Sequence, residues 1–401
     1  MRAIYNKIWI LALLLLPPAL MAQVKEPQAG DTTYYKTLIP EEKQGLLKNM
    51  SMIANTRFAL RNEFQDGEYQ QSRFMMEQFR LEIKGNIHDR VYFRFRDRYT
   101  RAQTSESLDN FSRSTDLAFI RVAATDKLSI SAGKMCADWG AYEFDYNPID
   151  IYEYSDIIEY ADNFLTGVGV SYQLNSRHQL TFQILDSRTK TFDDLYGYQP
   201  HFEAGKMPLA FVVNWRGSLF DGKFNTIWSY AFHNEARNTE LDQAAGMNYI
   251  ALGNQLRLGK FTVEYDFKWS QEDLDRSGII SEQVNATSEY QYALENTLYI
   301  GHWLHMYYRV NPKINLALIG MMDIAKWKYD MPGKTTDDFR TAYGIIPTIE
   351  YYPFKDLNLR FYINWVGRSY KYSDYAKEHI DVVDTNKGRI AIGFVSPLGI
   401  F

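Results

Sequence analysis

From residue 55 to its end the chain is built of segments about ten residues long in which every second side chain is large and apolar. The stretches 90–98, 260–269 and 357–365 show this most plainly. Period-two alternation marks a strand with one apolar and one polar face. About ten residues is the length a tilted strand needs to cross the hydrocarbon of a bilayer. Sixteen such segments can be placed, at 55–64, 74–84, 90–99, 115–124, 128–134, 166–174, 179–185, 208–217, 224–232, 248–257, 260–269, 297–309, 314–326, 342–352, 357–370 and 388–401.

The connections alternate in length. Short ones fall at 85–89, 125–127, 175–178, 220–223, 258–259, 311–313 and 353–356. Long ones fall at 65–73, 100–114, 135–165, 186–207, 233–247, 270–296, 327–341 and 371–387. Outer-membrane barrels join their strands by tight periplasmic turns and long extracellular loops. Eight long and seven short connections are what sixteen antiparallel strands with both ends in the periplasm require. A soluble β-sandwich, the competing all-β architecture, has no reason to segregate its loop lengths. The pattern therefore predicts a transmembrane antiparallel β-barrel over 55–401.

The start of the chain agrees with export. Arg2 and Lys7 precede an apolar run from Ile8 to Leu16, which Pro17 and Pro18 break before Ala22. This is the layout of a secretory signal peptide, with cleavage expected after Ala22. Residues 23–54 are mixed and polar and read as a periplasmic lead-in. Cys136 is the single cysteine, so no intrachain disulfide can staple the fold. Aromatic residues make up 15% of the chain although its mean hydropathy is negative. A barrel with one wet face and aromatic girdles accounts for both. The expected partners are outer-membrane lipids and small polar or anionic solutes. No nucleic acid, cofactor or metal is expected.

Alternation also assigns faces. Placing Val91, Phe93 and Phe95 toward lipid turns Arg94, Arg96 and Arg98 into the lumen. The reverse would set three guanidinium groups against hydrocarbon at about 2–4 kcal/mol each near the midplane. By the same parity Arg57, Arg61 and Glu63, then Arg80, Glu82 and Lys84, then Arg360 and Arg389 point inward. Five contiguous strands of the closed barrel then share a wall rich in Arg and Lys. Arg80 and Arg94 are expected at similar height, since each lies about five residues from their shared turn.

The connection 135–165 has the opposite character. It carries Asp138, Glu143, Asp145, Asp150, Glu153, Asp156, Glu159 and Asp162 with no Lys or Arg, and it is crowded with aromatic rings such as Trp139, Tyr142 and Tyr152. Folded inward, it could pack its rings and turn its carboxylates toward the basic wall, forming a charged constriction. Pairing within the wall, for stability alone, is the plainer reading of any one arginine. Calcium would suit the carboxylates, but the spacing of a calcium loop is absent. Two other functions remain open: a barrel that binds a partner through 186–207 and 270–296, and an integral outer-membrane enzyme. The enzyme is the less supported. His302 and His305, three apart on a strand, face opposite sides, and no nucleophile elbow or His-Glu-x-x-His motif occurs.

The residues Ile130 to Lys134, Trp139-Gly140 and Tyr146 to Asp156, with the arginine-rich third segment and the terminal Phe401, resemble the phosphate-selective porin O and P family. The resemblance implies a sixteen-stranded, trimeric passive porin whose basic lumen residues conduct anions, with Arg94, Arg96 and Arg98 as anion contacts. The wholly acidic loop departs from the basic constriction a phosphate-selective pore calls for. A general porin for small polar or anionic solutes is therefore the expectation, and an enzyme is not.

Overall fold

A computed structural model of the chain describes residues 49–101, 108–286, 291–329 and 334–401. The expected leader 1–22 and nearly all of the lead-in lie outside them. The described chain forms sixteen strands: β1 (Met50–Gln65), β2 (Glu68–His88), β3 (Val91–Arg98), β4 (Thr115–Ala123), β5 (Leu128–Cys136), β6 (Phe164–Asn175), β7 (His178–Asp186), β8 (Phe202–Leu219), β9 (Phe224–Asn238), β10 (Gln243–Leu258), β11 (Phe261–Leu274), β12 (Glu295–Asn311), β13 (Ile314–Trp327), β14 (Asp338–Tyr351), β15 (Arg360–Tyr372) and β16 (Thr385–Gly399). Each pairs antiparallel with its neighbours in sequence, and β16 closes on β1 from Ile53–Gly399 to Gln65–Lys387. Closure leaves no sheet edge facing hydrocarbon, where an unpaired backbone group costs several kcal/mol.

Every strand overlaps one of the segments read from the alternation. At the periplasmic end β1 begins at Met50, so the last residues of the expected lead-in are strand. The larger differences lie above the membrane. The expected long loop 65–73 is a two-residue turn at Asp66 and Gly67, both with positive φ. The expected loop 233–247 shrinks to 239–242, because β9 and β10 stay paired up to Asn238–Gln243. Above the bilayer both faces of a strand are wet, so the apolar alternation fades while the hydrogen-bond ladder continues. At the other end the turn expected at 353–356 widens to 352–359, and Leu359 precedes β15 rather than facing lipid within it.

Outside, large apolar residues such as Ile120, Val168, Phe182, Ile349 and Ile392 are exposed, as a lipid-facing belt requires. Inside, the barrel is divided. Many inward residues of β7 to β13, among them Leu185, Val212, Met247, Tyr249, Tyr299 and Trp327, are apolar and buried. They pack against Trp139 and Ile157 of the connection 137–163 and against Ile279 and Ile280 of the connection 275–294. The side of β16, β1, β2 and β3 is dominated by charged residues instead. Two loops thus fill one half of the lumen with a dry core and leave the other half wet.

Candidate functional site

The connection 137–163 enters the lumen and is anchored across it. Its entry presses on β10, where a Cβ on Gly253 would lie 2.8 Å from Ala141 Cβ and 3.0 Å from the Tyr142 ring, so no larger residue fits there. A short helix, α1 (Tyr142–Asp145), follows Ala141, which has no side chain to cap it. Asp266 of β11 does so instead, accepting from the backbone N–H of Tyr142 at 3.1 Å and of Glu143 at 2.7 Å. Glu143, fully buried, accepts from Ser155 N–H at 2.6 Å and its hydroxyl at 2.7 Å, and pairs with Lys268 of β11. One carboxylate therefore ties two turns of the loop to the wall. The next turn, Pro148–Asp150, is capped by Asn147 and has Pro at its first position. Arg57 of β1 donates to the carbonyls of Ile149 at 3.1 Å and Ile151 at 2.5 Å.

The loop's other carboxylates also find cations. Asp145 holds Arg216 of β8 through two hydrogen bonds of 3.0 and 2.7 Å. Asp150 meets Arg360 of β15 at 2.5 Å, and Glu153 meets Arg389 of β16 at 3.1 Å. Asp156, which opens the short helix α2 (Asp156–Tyr160), pairs with both Arg340 and Arg368. Asp162 accepts from the Thr189 hydroxyl at 2.6 Å. Asp138 is placed by its backbone, whose N–H donates to Gln183 and whose carbonyl accepts from Asn214. The loop's acids thus touch the wall rather than only facing it. Most of them are fastened at contact distance to arginines of β8, β14, β15 and β16 and to Lys268, and Arg360 and Arg389 are two of the fastening points.

The wall of β1 to β3 keeps its own counter-charges. Arg80 and Arg98 face each other across the β2–β3 ladder, as do Lys84 and Arg94, so Arg94 stands nearer the periplasm than Arg80 rather than level with it. The register follows from the turn at residues 89–90, which is tighter than the connection 85–89 read from the sequence. Lys84 and Arg94 share Glu82 at 3.7 and 3.1 Å. Arg80, Arg96 and Arg98 converge on the buried Asp116 at 3.6, 3.3 and 2.7 Å. Arg57 and Arg61 share Glu77 at 2.8 and 3.6 Å. Glu77 and Asp116 are the residues skipped where the β1–β2 and β3–β4 registers shift. A bulge breaks the alternation and turns an extra side chain inward, and in both places that side chain is a carboxylate among arginines.

Strict alternation cannot reveal bulged residues, and Glu77 and Asp116 were missed for that reason. Arg216, Lys268 and Arg368 have a signal in the sequence, since each shares the inward parity of its segment. Arg340 lies in what read as the loop 327–341. Of the histidines, His302 faces lipid beside Tyr265, and His305 faces inward at 3.0 Å from Glu264, which also accepts from Tyr146 at 2.8 Å.

Beside the loop lies an open cavity of 760 Å³. Thr100 and Glu282 on its rim belong to the extracellular connections and Thr385 opens β16 at the same end, so it is the outer vestibule. Eight cationic side chains line it against five carboxylates. Glu159 is wetted by this vestibule yet ringed by barrel wall. That partial desolvation, with Glu153 nearby, raises its carboxyl above the ordinary glutamate range.

A model of the family described as phosphate-selective porin O and P matches residues 56–394. The chain belongs to this family. It is an outer-membrane porin of the Gram-negative type, and its strands cross the outer membrane. No curated protein matches it. Among solved structures, the porin resembles the outer-membrane channel DcaP of Acinetobacter baumannii with a TM-score of 0.60 at 9% identity, covering 86% of this chain and 96% of that one. It also resembles an anion-selective porin from Comamonas acidovorans with a TM-score of 0.57 at 10% identity, covering 86% and 98%. Salmonella typhi OmpF in complex with daunomycin gives a TM-score of 0.53 at 12% identity, covering 86% and 98%. At these identities the likeness speaks for the barrel alone.

Proposed function

We propose that this porin is a passive diffusion pore for small anionic and polar solutes, without strict selectivity for phosphate. The path runs along the wall of β16, β1, β2 and β3 and is narrowed by the loop 137–163. The observation that carries this reading is where the charges are spent. Five carboxylates of the loop, Glu143, Asp145, Asp150, Glu153 and Asp156, are each tied to a cation. On the wall, three arginines share Asp116, leaving a cationic excess. The vestibule lining has the same excess. A wet passage with net positive walls raises the local anion concentration.

No catalytic group is assigned, because the inward His305 is engaged by Glu264 and Tyr146 rather than by a nucleophile. The long connections that could have served a partner are turned in, with Phe192 and Tyr196 of one and Ile279 and Ile280 of the other buried. We take the assembly to be a homotrimer, which mass measurement in detergent checks. The test of the pore itself is single-channel recording under a salt gradient. The native chain should give a reversal potential favouring anions, and changing Arg94, Arg96 and Arg98 together to Ala should move it toward cations. A native potential that favours cations refutes the proposal.

A further inference from the structure

The vestibule is far larger than an inorganic oxyanion needs. Its 760 Å³ falls within the range of about 300–1,000 Å³ typical of sites for organic ligands. A small oxyanion that displaces a few waters of about 30 Å³ each would leave it almost empty. The lining is also mixed rather than uniformly basic. Beside the cations stand five carboxylates and five tyrosines. Glu159 and Glu282 add repulsion to the passage of a bare anion, yet they are good acceptors for hydroxyl donors.

The rings are held in place. Tyr160 is 43% exposed and stays ordered through its hydroxyl, which donates to Glu282 at 3.0 Å. Tyr370 lies under Arg340, Arg368 and Lys387, with the three cations 5.1, 5.6 and 5.7 Å from its centre. A fixed, wet aromatic ring beside guanidinium groups and carboxylates offers three things together: a face for the C–H surface of a sugar ring, partners for an acidic group, and acceptors for hydroxyls.

We infer that the vestibule is a loading site for short acidic saccharides, bearing a carboxylate or sulfate, which it binds weakly before passage. The inference rests on the anion-preferring reading above and narrows it to one solute class. Weak binding by several partial contacts is what conduction demands, since a solute must enter and also leave.

The experiment is block of single-channel potassium chloride current by three added solutes: digalacturonate, maltose and inorganic phosphate. Digalacturonate should interrupt the current at a concentration at least about ten-fold below either of the others. Tyr160→Leu should weaken that block about ten-fold, with folding of the variant checked by its heat-modifiable migration on gels. Should that variant not fold, Glu282→Ala, which removes the acceptor of the Tyr160 hydroxyl and frees the same ring, replaces it and should weaken the block in the same sense. Equal block by phosphate and digalacturonate overturns the inference, as does block that the Tyr160 variant leaves intact. The reversal potential, read in the same channels, separates the two levels. Anion-favouring potentials without saccharide block refute the saccharide site alone, whereas cation-favouring potentials refute both.

Discussion

Arg98 gives the sharpest test of how the lumen selects. Its side chain is 21% exposed on the vestibule wall, and it donates to Asp116 at 2.7 Å. Changing it to Gln removes one positive charge from a cluster of three arginines around one carboxylate. Asp116 stays compensated, because Arg96 and Arg80 remain at 3.3 and 3.6 Å. The effect therefore falls on passing ions rather than on the fold. An ion about 4 Å from the guanidinium in water gains or loses about 1 kcal/mol. That is about five-fold in local anion occupancy and about five-fold the other way for a cation. The anion-to-cation permeability ratio should then fall by up to about thirty-fold in dilute salt, where screening is weakest. In about 1 M salt the Debye length drops to about 3 Å, and most of the difference should vanish. Reversal potentials of native and R98Q channels at low and high salt read this directly. A ratio unchanged at low salt, in a variant that still folds and conducts, would refute the idea that the wall's arginines set selectivity. A shift that persists undiminished at high salt would refute the wet, screened path.

Three further outcomes follow from the anchoring of the loop. Asp156→Asn strands the buried Arg340 and leaves Arg368 with Asp323 alone, and removing one partner of such a cluster costs about 3–5 kcal/mol. It should lower the urea midpoint and raise conductance as α2 comes away from the wall. Gly253→Leu drives a side chain into Ala141 and Tyr142, so the loop cannot seat; the expected result is a folded barrel with larger, noisier channels, and unaltered channels would count against the close approach. Lowering pH from neutral should protonate Glu159 before ordinary carboxylates, since burial and Glu153 raise it. Losing that negative charge leaves the vestibule more positive, so anion preference should rise as pH falls, and Glu159→Gln should remove this early part of the rise.

The barrel could be read from the sequence because lipid imposes a rule that acts residue by residue. A strand crossing hydrocarbon must alternate, so 90–98 and 260–269 declared both their structure and their faces. Strand number, inward arginines and the long connection 135–165 all followed. What alternation could not show lies where that rule lapses. Above the membrane, 65–73 and 233–247 lose the apolar face while keeping the ladder. At the two bulges, Glu77 and Asp116 turn inward against the parity. The partners of the acidic loop were likewise beyond reach. The sequence supplies its carboxylates, but which arginine each one meets depends on the path a loop takes through three dimensions, set by the Asp266 cap, the space at Gly253 and the dry core of β7 to β13. Local periodicity determined the wall, and only tertiary packing decided which of its charges are spent on holding the loop and which are left for the solute.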